Sequence, residues 1–328
     1  MLSFHLTPWP LSLLIAVWLL DAALGDPDYR WHPVRLIGAL IPILERWLFC
    51  LGWQGYGGGA LHWLLTLIAA LAGWWFPHAL FVSLDPALAL AWDLFLAYSL
   101  LCTRDLIDHG RRVLEQLHNP PQARQALARL VGRDTEPLQT EGIVRATIES
   151  LAENLTDAVL TPFWALCLFG LPGLVLVKAI STLDSMVGYR NARYQRFGWL
   201  AARSDDLIHW LPARLSPLLI AAAACWLRLR GQPLHPRLAL GTAWREHARL
   251  PSPNSGWSEA ACAGALRVRL LGPIYRRGQL VSDAYMGAPA WPANLDATDL
   301  RRALGLIGTA SWLSLAVGLL IAALGHAS

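Results

Sequence analysis

The chain has 328 residues, 55% of them hydrophobic and only 15% charged, against about 25% charged in an average globular chain. With a mean hydropathy of +0.38, this excludes a disordered, collagenous or disulfide-scaffold protein and argues against a soluble enzyme. The net charge of +4 is too small, and its arginines too scattered, for a nucleic-acid partner.

A membrane-spanning helix needs about 20 mostly apolar residues. The first apolar run, 11–24, is shorter than that and carries Asp21. Ala22-Ala23-Leu24-Gly25 resembles a signal-peptide cleavage site, but residues 1–10 hold no Lys or Arg, so the reading is an uncleaved membrane helix. Residues 60–84 and 303–325 contain no Asp, Glu, Lys or Arg and read as membrane helices. Residues 86–103 carry one charge, Asp93, which must face other helices or water. Asp85-Pro86 supplies the turn of a helical hairpin between two of these runs.

The uncharged run 158–177 is interrupted by Pro162, Gly170, Pro172 and Gly173. It is either one crossing or a re-entrant pair of half-helices turned at Leu171-Pro172-Gly173. Residues 207–229 begin with Pro212, Arg214 and Pro217. The expectation is an all-α, polytopic integral membrane protein with about five to seven membrane segments, residues 1–328 forming a single membrane-embedded domain. Arginines in 104–145, 190–203 and 228–302 all favour the cytoplasm, yet single crossings at both 158–177 and 207–229 would place the middle group outside. The orientation therefore stays open.

Three polar insertions remain, about 104–153, 181–206 and 228–302. The first reads as helical, with Asn119-Pro120-Pro121 separating two helices. The last, rich in Gly, Pro and Trp, reads as ordered loop. There is no internal repeat. The five cysteines, Cys50, Cys102, Cys167, Cys225 and Cys262, show no C-x-x-C spacing and read as reduced packing residues. The 17 tryptophans read chiefly as belt and packing residues, with Trp199, Trp244 and Trp257 in polar loops as candidates for stacking on a planar ligand.

Glu141, Arg145, Glu149, Glu153 and Asp157 recur at every fourth position, a stripe along one helix face. A solvated face with Glu–Arg pairs is the plain reading of such a stripe. This one runs into the apolar segment at Ala158, where unpaired carboxylates are costly, so Glu153, Asn154 and Asp157 point to a site. Oxygen ligands of this kind suit a hard cation such as Mg²⁺, which keeps waters and bridges to phosphates. At the far end of the same apolar run, Asp184, Gly188 and Asn191 share a face and Arg190 and Arg193 present forks to phosphate. Beside them stands Lys178, the sole lysine among 27 basic residues. Gly25-Asp26-Pro27, His32-Pro33-Val34-Arg35 and Pro251-Ser252-Pro253-Asn254 are rigid polar loops. Ser258 is placed to cap a helix beginning near Glu259. No Walker A, G-x-S-x-G or H-E-x-x-H sequence is present.

The strings G-D-P (25–27), H-P-V-R-L-I-G (32–38), E-S-L-A-E-N-L-T-D (149–157), K-A-I-S-T-L-D-S-M-V-G-Y-R-N (178–191), F-G-W-L-A-A-R-S-D-D (197–206), P-S-P-N-S-G-W-S-E-A (251–260) and A-G-A-L-R-V-R-L-L-G-P (263–273) resemble the CbiB/CobD family of cobalamin biosynthesis, in order and over nearly the whole chain. Ser181 stands where the family string has Asn, and Leu160-Thr161 precede Pro162; neither departure changes a charge. The resemblance implies an integral membrane adenosylcobinamide-phosphate synthase. Such an enzyme joins aminopropanol, or its phosphate, through an amide to the free propionate of adenosylcobyric acid, using ATP.

On that reading Glu149, Glu153 and Asp157, with Asp184, hold Mg²⁺ and help deprotonate the amine. Lys178, Arg190 and Arg193 neutralise phosphate, Asn154 and Asn191 orient it, and the loops at Asp26, His32, Arg35 and Asn254 close over the substrates. The expected location is the inner cell membrane, with the active site on the cytoplasmic side and other late cobalamin-biosynthesis enzymes as partners. Two other classes stay open: a transporter using Asp21, Asp93 and Asp157 as intramembrane charges, and a non-catalytic membrane subunit that docks corrinoid enzymes.

Overall fold

A computed structural model describes residues 9–26 and 29–327, so Pro27 of the Gly25-Asp26-Pro27 string lies outside the described residues. In chain order the helices are α1 (Leu11–Leu24), α2 (Pro33–Cys50), α3 (Tyr56–Leu84), α4 (Pro86–Ser99), α5 (Thr103–Gln116), α6 (Pro120–Leu127), α7 (Thr140–Asn154), α8 (Thr161–Val187), α9 (Trp199–Ile208), α10 (Trp210–Leu229), α11 (Pro236–Glu246), α12 (Ser255–Leu266) and α13 (Ala297–Ala327). A π-helical turn, Leu155–Leu160, joins α7 to α8. Five helical stretches are long and apolar enough to cross a membrane: Tyr56–Leu84, Pro86–Gln116, Thr140–Val187, Trp199–Leu229 and Ala297–Leu324. With the shorter apolar α1, this is the expected all-α, multi-pass membrane architecture.

Helix starts follow local chemistry. α2, α4, α6 and α11 each open on a proline in the first turn, where its missing N–H is no loss and its fixed φ already suits the helix. Asp85 adds a cap to α4 by accepting from the Ala87 amide at 2.8 Å. Asn119-Pro120-Pro121 separates α5 from α6 as its composition predicts.

The chain divides into two compact units, one from residues up to Arg104, Thr161–Ile208 and Leu315 onward, the other from Asp105–Leu160 and His209–Ser314. In the first, Ile37, Ile41, Leu67, Ala179, Ile180, Leu183, Val187 and Ala201 form an apolar core. Asp93 faces α3, where it accepts from the Trp74 indole at 2.9 Å and pairs with His78 at 3.0 Å. α8 is broken at Gly170, which takes φ 64° and ψ −161°. In an unbroken helix Gly173 would lie about 12 Å along the axis from Ala165. Instead a Cβ on Gly173 would stand 2.9 Å from the Ala165 carbonyl oxygen. The chain therefore folds back at Gly170-Leu171-Pro172, and the broken run is a hairpin of two half-helices, the second of the two readings its prolines and glycines allow.

The second unit departs from the sequence reading between 228 and 302. That stretch is not loop: α11 and α12 occupy its first half. Then β1 (Leu270–Leu271) pairs antiparallel with β4 (Tyr285–Met286), and β2 (Ile274–Arg276) with β3 (Gln279–Ser282). α12 is built of Ser, Gly, Ala and Cys with few large residues, which lets it lie close to α11. At the crossing a Cβ on Gly264 would overlap the Leu238 backbone carbonyl. Gly264→Ala should therefore destabilise the protein by about 1–3 kcal/mol, whereas Gly305→Ala, whose new methyl would meet only the tip of Gln232 at 4.0 Å, should be neutral or better. Thermal unfolding of the two detergent-purified variants checks the difference.

Candidate active site

Within the second unit a cavity of about 390 Å³ is lined by residues that include Arg133, Glu149, Ser150, Glu153, Ser252, Ser255, Glu259 and Arg276. Its walls come from four places: the loop after α6, the face of α7, the turn that opens α12, and the strand segment 271–276. Glu149 is 3% exposed and both its oxygens are held. One pairs with Arg133, and the other accepts from the Leu271 amide at 2.7 Å. Leu271 is a non-glycine residue at φ 61°, a strained position that the bond to Glu149 holds in place. Glu149 thus ties α7 to β1 and builds the cavity wall.

Glu153, one turn further along α7, opens into the cavity, and Glu259 meets it from α12. Glu259 is 4% exposed, yet among the described residues it has no hydrogen-bond or ion-pair partner. Burial pushes its carboxyl well above the usual carboxylate range, and the negative charges of Glu153 and Glu149 push the same way, against Arg133. Arg276 also lines the cavity, and its guanidinium has no hydrogen-bond or ion-pair partner among the described residues. Among the described residues no three His, Cys, Asp or Glu side chains converge to hold a metal alone. Two open carboxylates do fit Mg²⁺, which keeps several waters and completes its shell with substrate phosphate oxygens.

The other residues singled out in this unit are held by neighbours. Asn154 donates back to the Ser150 carbonyl at 2.9 Å. Asp157 sits on the π-helical turn and lies 3.5 Å from His209, still close enough for its charge to act on Glu153 and Glu259. Asn254 accepts from Arg214 at 3.0 Å, which also lies over the Trp210 ring, 4.3 Å from its centroid. α12 begins at Ser255 with Asn254 in the cap position. Ser258 is therefore inside the helix, where its hydroxyl donates to the Ser255 carbonyl at 3.2 Å, and does not cap it. Ser252 takes the cap-like role instead, accepting from the amides of Asn254 and Ser255 at 3.2 and 3.3 Å.

Lys178, Asp184, Arg190, Asn191, Arg193, Asp26, His32 and Arg35 belong to the first unit. His32 Nε2 lies 3.0 Å from Asp26 and 2.9 Å from the Ser99 carbonyl, so it donates to both and locks the α1–α2 loop to the end of α4. Arg35 donates to the Tyr29 carbonyl at 3.2 Å. Lys178 lies 3.5 Å from the Cys102 sulfur. A Cβ on Gly188 would overlap the Asp184 carboxylate, which explains a glycine one turn after it. Asn191 accepts from the Arg193 and Tyr194 amides at 3.0 and 2.9 Å, a local turn cap. Arg193 grips the buried Glu45 through Nε and Nη2 at 2.8 and 2.6 Å, so its fork neutralises a carboxylate instead of a phosphate. Arg190 is exposed, and its guanidinium has no hydrogen-bond or ion-pair partner among the described residues. All five cysteines are free thiols.

Glu259, Arg133 and Arg276 are the cavity residues that the motif reading did not single out. For Glu259 a signal existed: it is the sole charge in the helix Ser-Gly-Trp-Ser-Glu-Ala-Ala-Cys-Ala-Gly-Ala-Leu, and a lone charge on a helix with no polar face must be buried.

Comparison with known proteins agrees with this arrangement of motifs. The model of the family described as CobD/Cbib protein matches residues 13–307. Cobalamin biosynthesis protein CobD of Yersinia enterocolitica is 41% identical over 311 residues, covering 93% of this chain and 95% of that protein. The protein of the same name from Photorhabdus laumondii is 39% identical over 314 residues, covering 93% and 95%. Cobalamin biosynthesis protein CbiB of Salmonella typhimurium is 37% identical over 311 residues, with the same coverage of 93% and 95%. No solved structure matches. With a family model spanning most of its length and relatives of this identity and coverage, the chain belongs to the CobD/CbiB family.

Proposed function

We propose that this protein is a membrane-bound, ATP-dependent amide synthase of cobalamin biosynthesis. It would join the free propionate of adenosylcobyric acid to (R)-1-aminopropan-2-ol or its phosphate, giving adenosylcobinamide or its phosphate. The observation that carries the reading within this chain is Glu259, a buried carboxylate without a protein partner, beside Glu153 in a cavity that also holds Arg133 and Arg276. The printed names of the relatives supply the pathway.

A propionate does not react with an amine until its oxygen is converted to a leaving group. In the simplest route the carboxylate oxygen attacks the γ-phosphorus of ATP, ADP leaves, and the amine then displaces inorganic phosphate with loss of one proton from nitrogen. Mg²⁺, held by Glu153 and Glu259, would supply neutralisation of phosphate charge. Arg276 is placed to hold a phosphate oxygen through its fork. Arg133, fixed by Glu149, keeps positive charge at the cavity wall. The carboxylate of Glu153 takes the ammonium proton before the nitrogen attacks. In the first unit, exposed Arg190 remains the candidate for an anionic group by its charge. Location in the inner membrane, a cytoplasmic active site and association with other late enzymes of the pathway belong to the same proposal.

The direct test incubates detergent-purified protein with adenosylcobyric acid, Mg²⁺ and either amine, with and without ATP, and follows the amide by mass spectrometry. Product that requires ATP is expected; folded protein that binds the corrinoid but makes no amide with either amine would sink the proposal. Glu153→Gln and Glu259→Gln should each lower turnover by about 10²-fold or more while leaving membrane insertion and gel-filtration behaviour unchanged.

Glu259 also carries a pH signature. Its folded carboxyl titrates above its unfolded one, so the folded state binds the extra proton and stability falls as pH rises from the ordinary carboxylate range through the raised value. Thermal unfolding of the wild-type protein should lose stability relative to Glu259→Gln between mildly acidic and mildly alkaline buffer. A constant difference between the two proteins across that range would show that Glu259 is not held in an apolar setting.

A further inference from the structure

Near the acidic cavity in sequence, but sharing none of its lining residues, a polar cavity of about 330 Å³ lies in the α5–α6 hairpin. It is lined by His109, Arg112, Gln116, Gln122, Gln125 and Arg129, with Ala126. No carboxylate lines it. The arginines of this hairpin divide into two kinds. Arg111 pairs with Asp108 at 3.0 Å, and Arg124 donates to the Leu138 carbonyl at 2.9 Å, so both are held by protein. The guanidinium groups of Arg112 and Arg129 have no hydrogen-bond or ion-pair partner among the described residues, and they are the two that line the cavity.

Arg112 and Arg129 are both exposed, so the cavity opens to solvent and offers an anion two guanidinium groups with no carboxylate in its lining. The remaining lining completes a donor set. His109 donates through Nδ1 to the Asp105 carbonyl at 2.8 Å and carboxylate at 3.0 Å, so its Nε2 adds a donor to the cavity only when the ring is protonated. Gln116, Gln122 and Gln125 each bring an amide N–H₂. Guanidinium forks with amide donors match the several oxygens of a phosphate group. The volume, several times the roughly 30 Å³ share of one water, leaves room for the group that carries it.

We propose that this cavity binds a phosphate-bearing anion, gripped between Arg112 and Arg129. The same chemistry is offered by a soluble phosphate and by the headgroup of an anionic phospholipid. The proposal does not depend on the amide-synthase reading and stands or falls separately from it.

The test uses the full chain purified in detergent, in EDTA so that phosphate cannot be recruited to the acidic cavity through a metal. Inorganic phosphate is titrated against sodium chloride at matched ionic strength, with thermal unfolding and calorimetry as readouts. Phosphate should protect the wild-type protein, and Arg112→Gln/Arg129→Gln should bind it about tenfold more weakly or worse. Arg111→Gln, whose guanidinium lies outside the cavity, should keep wild-type binding. In a parallel arm, native mass spectrometry compares phosphatidylglycerol retained by wild-type and double-variant protein after reconstitution in mixed phosphatidylcholine–phosphatidylglycerol vesicles. Loss of phosphate protection in the double variant assigns a soluble ligand; loss of retained phosphatidylglycerol assigns the headgroup. If the double variant, folded with an unchanged Tm in chloride, matches the wild type in both arms, the proposal is overturned.

Discussion

An ionised carboxylate removed from water is costly unless donors or cations surround it, and the buried acids of this chain are arranged around that constraint. Asp21 accepts from the Thr103 amide at 2.9 Å, Asp93 from Trp74, and Glu45 is clasped by Arg193. Glu149 has Arg133 on one oxygen and the Leu271 amide on the other. In each case the pairing joins two different elements of the fold, so the acid that demands a partner also fixes a tertiary contact. Glu259 is the exception. It sits on a helix of small apolar residues, faces two more carboxylates, and has no partner among the described residues. A group in that state is satisfied by a proton or by something that binds.

That asymmetry also separates architecture from chemistry. Glu149 is indispensable to the cavity because it holds α7 against β1 and keeps Leu271 in its strained conformation. Having both oxygens occupied, it is a poor ligand and a poor base. Glu153 and Glu259 have the opposite profile. Of the three acids on which the transporter reading rests, Asp21 accepts from the Thr103 amide through one oxygen, Asp93 is held by Trp74 and His78, and Asp157 lies against His209.

How much of this was legible depended on whether the controlling interaction was local. Apolar runs, the Asn119-Pro120-Pro121 break and the Asp85-Pro86 turn are local, and the structure bears them out; Pro33-Val34-Arg35, read as a loop, instead forms the first turn of α2 because the proline there opens a helix. The hairpin at Gly170 was visible as one of two options because proline and glycine act on their own backbone. The stripe at Glu149, Glu153 and Asp157 was half right: it assumes one continuous α-helix, and the π-helical turn at Leu155–Leu160 shifts the register, sending Asp157 toward His209. Segment 228–302 was misread because α11 and α12 are short and glycine-rich, and α12 is buried on every side, so no amphipathic period marks it. Glu45 and Arg193 are partners 148 residues apart, and the Leu271 amide that Glu149 accepts from is 122 residues away. Nothing in their own neighbourhood announces whether an arginine will meet a phosphate or a carboxylate.

The origin of the cavity residues bears on why such chemistry is tied to a membrane at all. Arg133, Glu149 and Glu153 come from the polar insertion 104–153, and Ser252, Glu259 and Arg276 from 228–302. Glu149 and Glu153 lie at the polar start of the stretch Thr140–Val187, ahead of its apolar run from Ala158. A phosphoryl-transfer and amide-forming site needs convergent charges and bound water, both of which hydrocarbon excludes. The polar stretches supply the charges that line this cavity. On this division of labour, changes on the outer faces of α3 and α13 should alter anchoring and leave the chemistry alone, whereas the small-residue contact of α11 with α12 matters to both, because α12 carries Glu259.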